Sequence, residues 1–352
     1  MSPEWNRVSR AVARTGALLA LLLTIASPVM HSQTCTTQAK MSVAIRTGLS
    51  DAALNLAQSI QDGDAVKVQA ATIAEFSSAS AFAPTAALVQ STSAMVASDT
   101  LRVTQVYELD ARARRSGDTS DADFSCALTG TTSETDFSIS GLPPGLYGFA
   151  MVEATGDRPW LLSFLLRQDD DNWKLAGFYP RTRTAAGHDG LWYWTSARAH
   201  AKAKELWLAW VFYGEADELL RPANFATSTN LDRLRSEQHA AAPPELIGGI
   251  GPDNPLVVKA GDSNGAAAGA EYRFTSIAAA GSGDSKQLNL ILHVRADNLN
   301  DSAAAKARSN AAAKALLDAH KELRQGLHSV WVFADSAGHE PLVTEQTISD
   351  IP

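Results

Sequence analysis

Cysteine is almost absent from this sequence, which has Cys35 and Cys126 and no others among its 352 residues. A metal site built from several cysteines is therefore excluded. The eight histidines show no short paired spacing on one helix face, so we predict no metal site. The glycines at 248–251 are not followed by the Lys-Ser/Thr of a phosphate-binding loop. Ser263 lies in a polar loop with no partner chemistry, and we predict no cofactor.

Positive charge is also scarce: 30 Lys and Arg stand against 38 Asp and Glu, which gives a formal net charge of −8. The chain contains no basic cluster after its first residues. Nucleic acids and anionic lipid surfaces attract proteins through such clusters. We therefore predict that the protein has no nucleic-acid partner.

Long apolar runs are absent except near the N-terminus, where residues 16–30 read GALLALLLTIASPVM. Arginines precede this run and polar residues follow it, which is the order typical of a secretory signal peptide. The run is shorter than the roughly 20 residues that span a bilayer, and Pro28 interrupts it. We predict a signal peptide over residues 1–33 and an exported protein, periplasmic or extracellular. An uncleaved membrane anchor is the alternative.

The two cysteines have a different meaning in an exported chain, because disulfides persist in oxidising compartments. We predict a disulfide between Cys35 and Cys126, with two unpaired thiols as the alternative. The residues before Cys35 match poorly the small residues that precede a lipidated cysteine. Contact with a membrane would therefore come through an uncleaved leader or, less readily, through lipid on Cys35.

The residues after the leader predict an α+β protein. Apolar residues recur at helical spacing over 49–76 and again over 84–96. From residue 101 the pattern changes to alternation, and well-marked turns separate the segments. The predicted strands are 101–109, 135–139, 147–153, 160–167 and 173–179. We predict a domain over 34–182 in which helices precede a curved antiparallel sheet.

Two segments of this domain, GDAVKVQ at 63–69 and WLLSFLLRQDDDNWKLAGFY at 160–179, resemble the nuclear-transport-factor-2-like superfamily. The resemblance covers residues 50–180. It implies a curved sheet wrapped around helices, with a pocket between them that members use for catalysis, binding or dimerisation. The acidic dyads of catalytic members are not identifiable here, so no catalytic residue is carried over. A shorter segment, 136–153, resembles the strand-turn-strand of exported transthyretin-like and carboxypeptidase-regulatory-like sandwiches.

Aromatic residues are concentrated in the segment 183–239, which we predict to be a helical hairpin with helices over 191–201 and 204–220. The aromatic residues at issue are Trp192, Tyr193, Trp194, Trp207 and Trp210. Core packing is one interpretation, because aromatic side chains dominate protein cores. The other is a binding surface, where Trp, Tyr and Arg are enriched.

The last part of the chain begins with a segment rich in Pro and Gly, which predicts a linker over 240–256. Beyond it, two strands, an alanine-rich helix over 302–325 and two further strands follow one another. This order predicts a small antiparallel β-β-α-β-β unit over 257–352.

The best candidate for a chemical site is Gly187-His188-Asp189-Gly190, which opens the aromatic hairpin. His188 and Asp189 could form a polar site at a helix N-terminus, and Arg198 could add a positive charge there. In the alternative interpretation, Asp189 caps the helix, His188 lies on the surface and the tryptophans belong to the core.

The absence of catalytic motifs favours an exported, non-enzymatic protein that binds a small ligand or another envelope protein. Two alternatives stay open at this stage. One is a cone-fold hydrolase or isomerase that uses His188 and Asp189. The other is a structural envelope component, for which self-association into a homo-oligomer is expected.

Overall fold

The computed structural model describes residues 33–128, 130–261, 269–281, 287–297 and 299–352. In these residues it confirms an α+β protein, with helices, an antiparallel sheet, a helix pair and a C-terminal mixed sheet in that order. Ser263 and the predicted signal peptide, apart from Gln33, lie outside the described residues. Within the described ranges, no helix combines the length and the apolar character needed to cross a membrane.

The N-terminal helices form the first layer, and polar side chains fix where they begin. Ser42 Oγ accepts a hydrogen bond from Ile45 N at 3.3 Å, and Asp64 Oδ1 accepts one from Lys67 N at 3.0 Å. Such caps satisfy backbone amides that the first turn of a helix leaves free. The helices are α1 (Val43–Gln61), α2 (Ala65–Ala70) and α3 (Ala79–Val96).

An antiparallel sheet packs against these helices. The strands of the first half are β1 (Thr34–Thr37), β2 (Thr100–Asp110), β3 (Asp121–Ala127), β4 (Glu134–Ser140), β5 (Leu146–Thr155), β6 (Trp160–Asp169), β7 (Asn172–Thr182), β8 (Thr184–Ala185) and β9 (His188–Asp189). The sheet has the order β1-β2-β5-β6-β7. Leu162 and Phe164 on one of its faces share a buried core with Leu49 and Leu56 of α1. This core occupies the space where the family resemblance implies a pocket.

The opposite face of this sheet is covered by a second, three-stranded sheet of order β10-β4-β3, in which β10 is Ala226–Ser228. The sequence places segment 135–139 in one curved antiparallel sheet with the other predicted strands, and this placement was therefore wrong. This segment lies in β4, which pairs with β3 on one side and with β10 on the other. Phe124 and Phe137 point inward from this sheet and pack with Phe149.

The predicted helical hairpin is confirmed as α4 (Gly190–Ala203) and α5 (Leu206–Leu220), followed by α6 (Thr229–Ala240). Gly190 lets the two helices approach closely, because a Cβ at that position would lie 2.6 Å from Leu220 Cγ. Lys204 ends α4 in a left-handed conformation with φ of 68°. Almost every side of α5 is buried.

The C-terminal sheet has the order β11-β12-β13-β14-β15. Its elements are β11 (Leu256–Lys259), β12 (Glu271–Gly281), β13 (Leu288–Arg295), α7 (Ser302–Ala319), β14 (Ser329–Asp335) and β15 (Leu342–Thr347). The predicted antiparallel arrangement was wrong at one pairing, because β13 and β14 run parallel. The intervening α7 makes the crossover that a parallel pair of strands requires.

The hairpin and the C-terminal sheet share one buried core. Phe212 and Leu219 of α5 pack in the same cluster as Ile277 of β12 and Leu316 of α7. Leu246 joins this cluster from the segment that the sequence predicts to be a linker. That segment therefore contributes to packing as well as to connection.

The predicted disulfide is confirmed between Cys35 and Cys126. It joins β1, at the edge of the five-stranded sheet, to β3 in the sheet that covers it. The bridge closes a loop with a sequence separation of 91 residues. A cross-link of this length removes much conformational entropy from the unfolded chain.

We expect the double variant Cys35→Ser/Cys126→Ser to lose about 4 kcal/mol of unfolding free energy, because the cross-link no longer restricts the unfolded chain. Urea denaturation followed by circular dichroism measures this loss. Wild-type protein kept in a reductant supplies the control and should show the same loss. An unchanged urea midpoint would contradict the stabilising role of the bridge.

Candidate functional site

A cleft of about 1140 Å³ opens between the end of the five-stranded sheet and helix α5. One wall comes from the α3–β2 and β5–β6 connections, with Asp99 and Arg158. The other wall is α5, with Glu215 and Glu218, and the end of β12 adds Ala280 and its neighbours. The cleft thus draws its lining from segments that are distant in sequence.

Glu215 is the most unusual residue of this cleft. Its residue surface is only 5% exposed, yet it lines the cavity. Among the described residues, none forms a hydrogen bond or an ion pair with its carboxyl group. Nearby, the hydroxyl of Tyr193 donates to Ala185 O at 2.9 Å. A buried charge without a partner is strongly unfavourable, so the protonated form is stabilised.

Burial raises the pKa of Glu215 to about 8, and the negative charge of Glu218 adds to this effect. At neutral pH most Glu215 side chains therefore carry a proton. A neutral carboxyl group can donate one hydrogen bond and accept others. Glu215 is consequently available to a bound molecule both as a donor and as an acceptor.

Asp99 places a second carboxyl group on the opposite wall. Its Oδ2 atom is buried and has no hydrogen-bond partner in the described part of the chain. Burial raises the pKa of Asp99, as does Asp157, while Arg158 opposes the rise. Gly156 lies directly beside it: a Cβ there would be 2.0 Å from Asp99 Oδ1, so the Asp99 side chain would have to move. Gln61 Nε2 holds this turn by donating to Asp99 O at 2.8 Å.

The rim of the cleft is tied together by charged side chains. Arg181 of β7 pairs with Glu218 and bonds to Asn224. Arg221 also pairs with Glu218. Glu218 is therefore paired with two guanidinium groups, whereas Glu215, one turn earlier on the same helix, has no such partner among the described residues.

The floor of the cleft is formed where β12 ends against the β8–β9 turn. A Cβ added at Gly281 would lie 2.9 Å from Ala186 N and 3.0 Å from Ala185 Cα. Ala186 and Gly187 both adopt positive φ in this turn. The close approach of the two backbones requires glycine at 281.

His188, Asp189 and Arg198, the residues that the sequence singles out, are not brought together. Asp189 Oδ1 accepts a hydrogen bond from Trp192 N at 2.8 Å and so caps α4. The exposed ring of His188 stacks on Trp192 with centroids 3.7 Å apart. Arg198 Nε instead donates to Glu237 Oε2 of α6 at 2.7 Å. None of these three residues lines the cleft.

The five aromatic candidates divide by exposure. Tyr193, Trp194 and Trp207 are buried, Trp210 is half-buried, and Trp192 is 41% exposed. Trp194 Nε1 donates to Glu237 Oε2 at 2.8 Å, and Trp207 stacks on a histidine ring. This burial favours a packing role for most of the five aromatic residues. Trp192 is the most exposed of them.

Within the described ranges, no group of three or more His, Cys, Asp or Glu side chains could hold a metal ion. No known protein-family model, curated protein or solved structure that was compared with the chain matches it. The function of the cleft is therefore inferred from its own residues alone.

Sequence reasoning missed Glu215 and Asp99. A signal for Glu215 was present: it follows Val211 by four residues and precedes Leu219 by four, so it belongs to the buried face of α5. Glutamate is almost never fully buried without a partner. No comparable signal exists for Asp99, whose surroundings come from the distant β5–β6 connection.

We expect the Glu215 carboxyl group to lower the unfolding free energy of the wild type as pH rises from about 4.5 to 8. The folded state holds the proton of Glu215 to a higher pH than the unfolded chain, so unfolding releases it in this range. Glu215→Gln should remove this dependence and raise the unfolding free energy at pH 9 by up to about 4 kcal/mol, with little change at pH 5.

Thermal and urea denaturation across pH 5–9 measure this difference. Glu218→Gln is the matched control, since it removes a paired carboxylate from the same helix and should lower stability. A pH profile of Glu215→Gln that parallels the wild type would show that Glu215 titrates normally.

The Glu237 carboxylate gives a second pH dependence, of opposite sign. Hydrogen bonds from Arg198, together with bonds from Trp194 and Arg233, lower the pKa of Glu237 to about 2. Its stabilising effect is present above pH 4.5 and is lost as pH falls towards 2. After solvent screening, Glu237→Gln should cost about 1–2 kcal/mol of unfolding free energy at pH 7.

Urea denaturation at pH 7 and pH 3 tests this expectation, and the cost should shrink at the lower pH. Arg233→Gln is the control, because Arg233 is largely exposed and its loss should cost less than about 0.5 kcal/mol. An equal cost for Glu237→Gln at both pH values would contradict the assignment.

Proposed function

We propose that the protein is an exported, non-enzymatic binding protein that takes a small polar ligand into the cleft between the five-stranded sheet and α5. The observation that carries the proposal is the carboxyl group of Glu215, a residue only 5% exposed, which lines that cleft without a partner among the described residues. A buried polar group without a partner costs free energy. A ligand that supplies the missing hydrogen bonds would recover part of this cost.

The size and mixed lining of the cleft support the same proposal. Ligand sites are concave and combine apolar walls with a few polar groups that fix orientation. Here Met95 and Trp160 provide apolar surface, while Glu215 and Asp99 provide polar atoms. The volume of about 1140 Å³ leaves room for a small molecule.

The alternative of a hydrolase or isomerase that uses His188 and Asp189 has less support. A general base needs an orienting partner and a free lone pair. The side-chain oxygen Oδ1 of Asp189 is engaged in capping α4, and His188 stacks on an exposed indole ring. Binding of an envelope protein through exposed Trp192 and assembly as a structural component both stay proposals, and no observation favours them over the cleft.

Export, and a periplasmic or extracellular location, is part of the proposal. The Cys35–Cys126 disulfide supports it, because such bonds form in oxidising compartments. We likewise propose that residues 50–180 are related in architecture to the nuclear-transport-factor-2-like superfamily. The order of helices followed by an antiparallel sheet supports this relation, whereas the filled space between sheet and helices departs from it.

Native mass spectrometry of the mature protein, purified from its own envelope fraction, tests the proposal. We expect a native mass that exceeds the denatured mass by a small discrete amount. Ala97→Trp, which places a large side chain at the exposed rim of the cleft, should remove the added mass. Trp192→Ala, outside the cleft, should retain it and serves as the control. A bare native mass in every sample would contradict a tightly held ligand.

A further inference from the structure

We infer that the ligand of the cleft is an organic cation, an ammonium or guanidinium compound, whose charged nitrogen binds the Glu215 carboxyl group. This inference rests on the proposed function, since it names the chemical class of the ligand. It starts from the arrangement of charge in the cleft.

Among the residues that the structure describes, carboxyl groups outnumber cationic groups in the lining. The charged residues of this described lining are Asp99, Asp157, Arg158, Arg181, Glu215 and Glu218. Arg181 is already occupied by Glu218 and Asn224, and Arg158 acts on Asp99. No guanidinium group of the described residues reaches Glu215. An anionic ligand would therefore meet an uncompensated carboxylate, while a cation would complete its pairing.

In the described part of the chain, no cationic side chain pairs with Glu215 to stabilise its charge. Tyr193, the titratable neighbour on α4, uses its hydroxyl to donate to a backbone carbonyl. Glu218, on α5 itself, is acidic and opposes ionisation. A cation that enters this site would supply a favourable charge, and attraction between opposite charges is strong where water is excluded.

The cleft wall opposite Glu215 also has groups that can bind an organic cation. Asp99 Oδ2 is buried and accepts no hydrogen bond from the described residues. Trp160 and Met95 lie in the same lining. Aromatic faces attract cations, and methylene groups of an organic cation would pack on the methionine. The lining therefore favours a nitrogen cation carried on a carbon skeleton over a bare inorganic ion.

A distinctive consequence is proton release on binding. Near neutral pH the proton on Glu215 must leave when an ammonium or guanidinium group takes its place, because the ion pair needs the carboxylate. The buffer takes up the released proton. The negative charge of the Glu215 carboxylate is then neutralised by the positive charge of the bound ligand. A neutral ligand that only hydrogen-bonds to the carboxyl group would leave this proton in place.

Isothermal titration calorimetry tests the inference with 1,4-diaminobutane, agmatine and choline as cations, and with 1,4-butanediol as the matched neutral probe. Titrations at pH 7 in phosphate and in Tris separate the heat of buffer ionisation from the heat of binding. We expect at least one cation to bind and to release about one proton, since a carboxyl group with pKa near 8 is mostly protonated at pH 7. The diol should not bind.

Glu215→Gln should weaken cation binding at least tenfold and abolish proton release. Glu134→Gln is the matched control: it makes the same chemical change and the same change in net charge, and Glu134 lies in β4, away from the cleft lining. This control should bind like the wild type. Denaturation curves show that each variant is folded.

Three outcomes would overturn the inference: no cation binds, a cation binds without releasing a proton, or Glu215→Gln binds with unchanged affinity. The native mass shows whether only the inference of a cationic ligand fails or whether the proposed binding function fails as well. A native mass with a discrete addition, combined with any of these outcomes, leaves a ligand of another class in the cleft. A bare native mass combined with silent titrations overturns both.

Discussion

Burial of helix α5 on nearly every side is the constraint on which the rest of the structure depends. Its side chains contact α4, the C-terminal sheet and the region of α6, so this one helix holds the second half of the protein together. The same burial removes water from Glu215 and changes its proton affinity. Architecture and chemistry at the cleft therefore have one physical cause.

The elements with strong periodicity could be predicted from the sequence. The helical spacing of α1 and α5, the alternation of β2 and the continuous apolar run of β6 each reflect burial on one face or on all faces, and local sequence records this burial. The Cys35–Cys126 pair could also be predicted, because the chain has only these two cysteines and they can form only one bridge with each other. The order of helices before strands was enough to indicate an α+β protein.

What could not be predicted depends on contacts between distant segments. Strand β10 has three residues, too few for a periodic signal, and β4 joins the second sheet because β10 and β3 both pair with it. The parallel pairing of β13 and β14 follows from the path of α7. His188 and Asp189 were predicted as a polar site from their residue types alone. In the structure, the Asp189 carboxylate caps α4. The buried faces around Glu215 decided its chemistry, and only the packed structure defines them.

Strand β10 also has a consequence for folding during synthesis of the protein. β10 covers one edge of β4, and β4 is synthesised long before residue 226 leaves the ribosome. The same order holds if the chain crosses a membrane from its N-terminus. At roughly 5–20 residues per second, that edge waits about ten seconds for its partner. An uncovered strand edge invites pairing with other chains during such an interval. One edge of β4 therefore has no partner strand until the hairpin and β10 have been made.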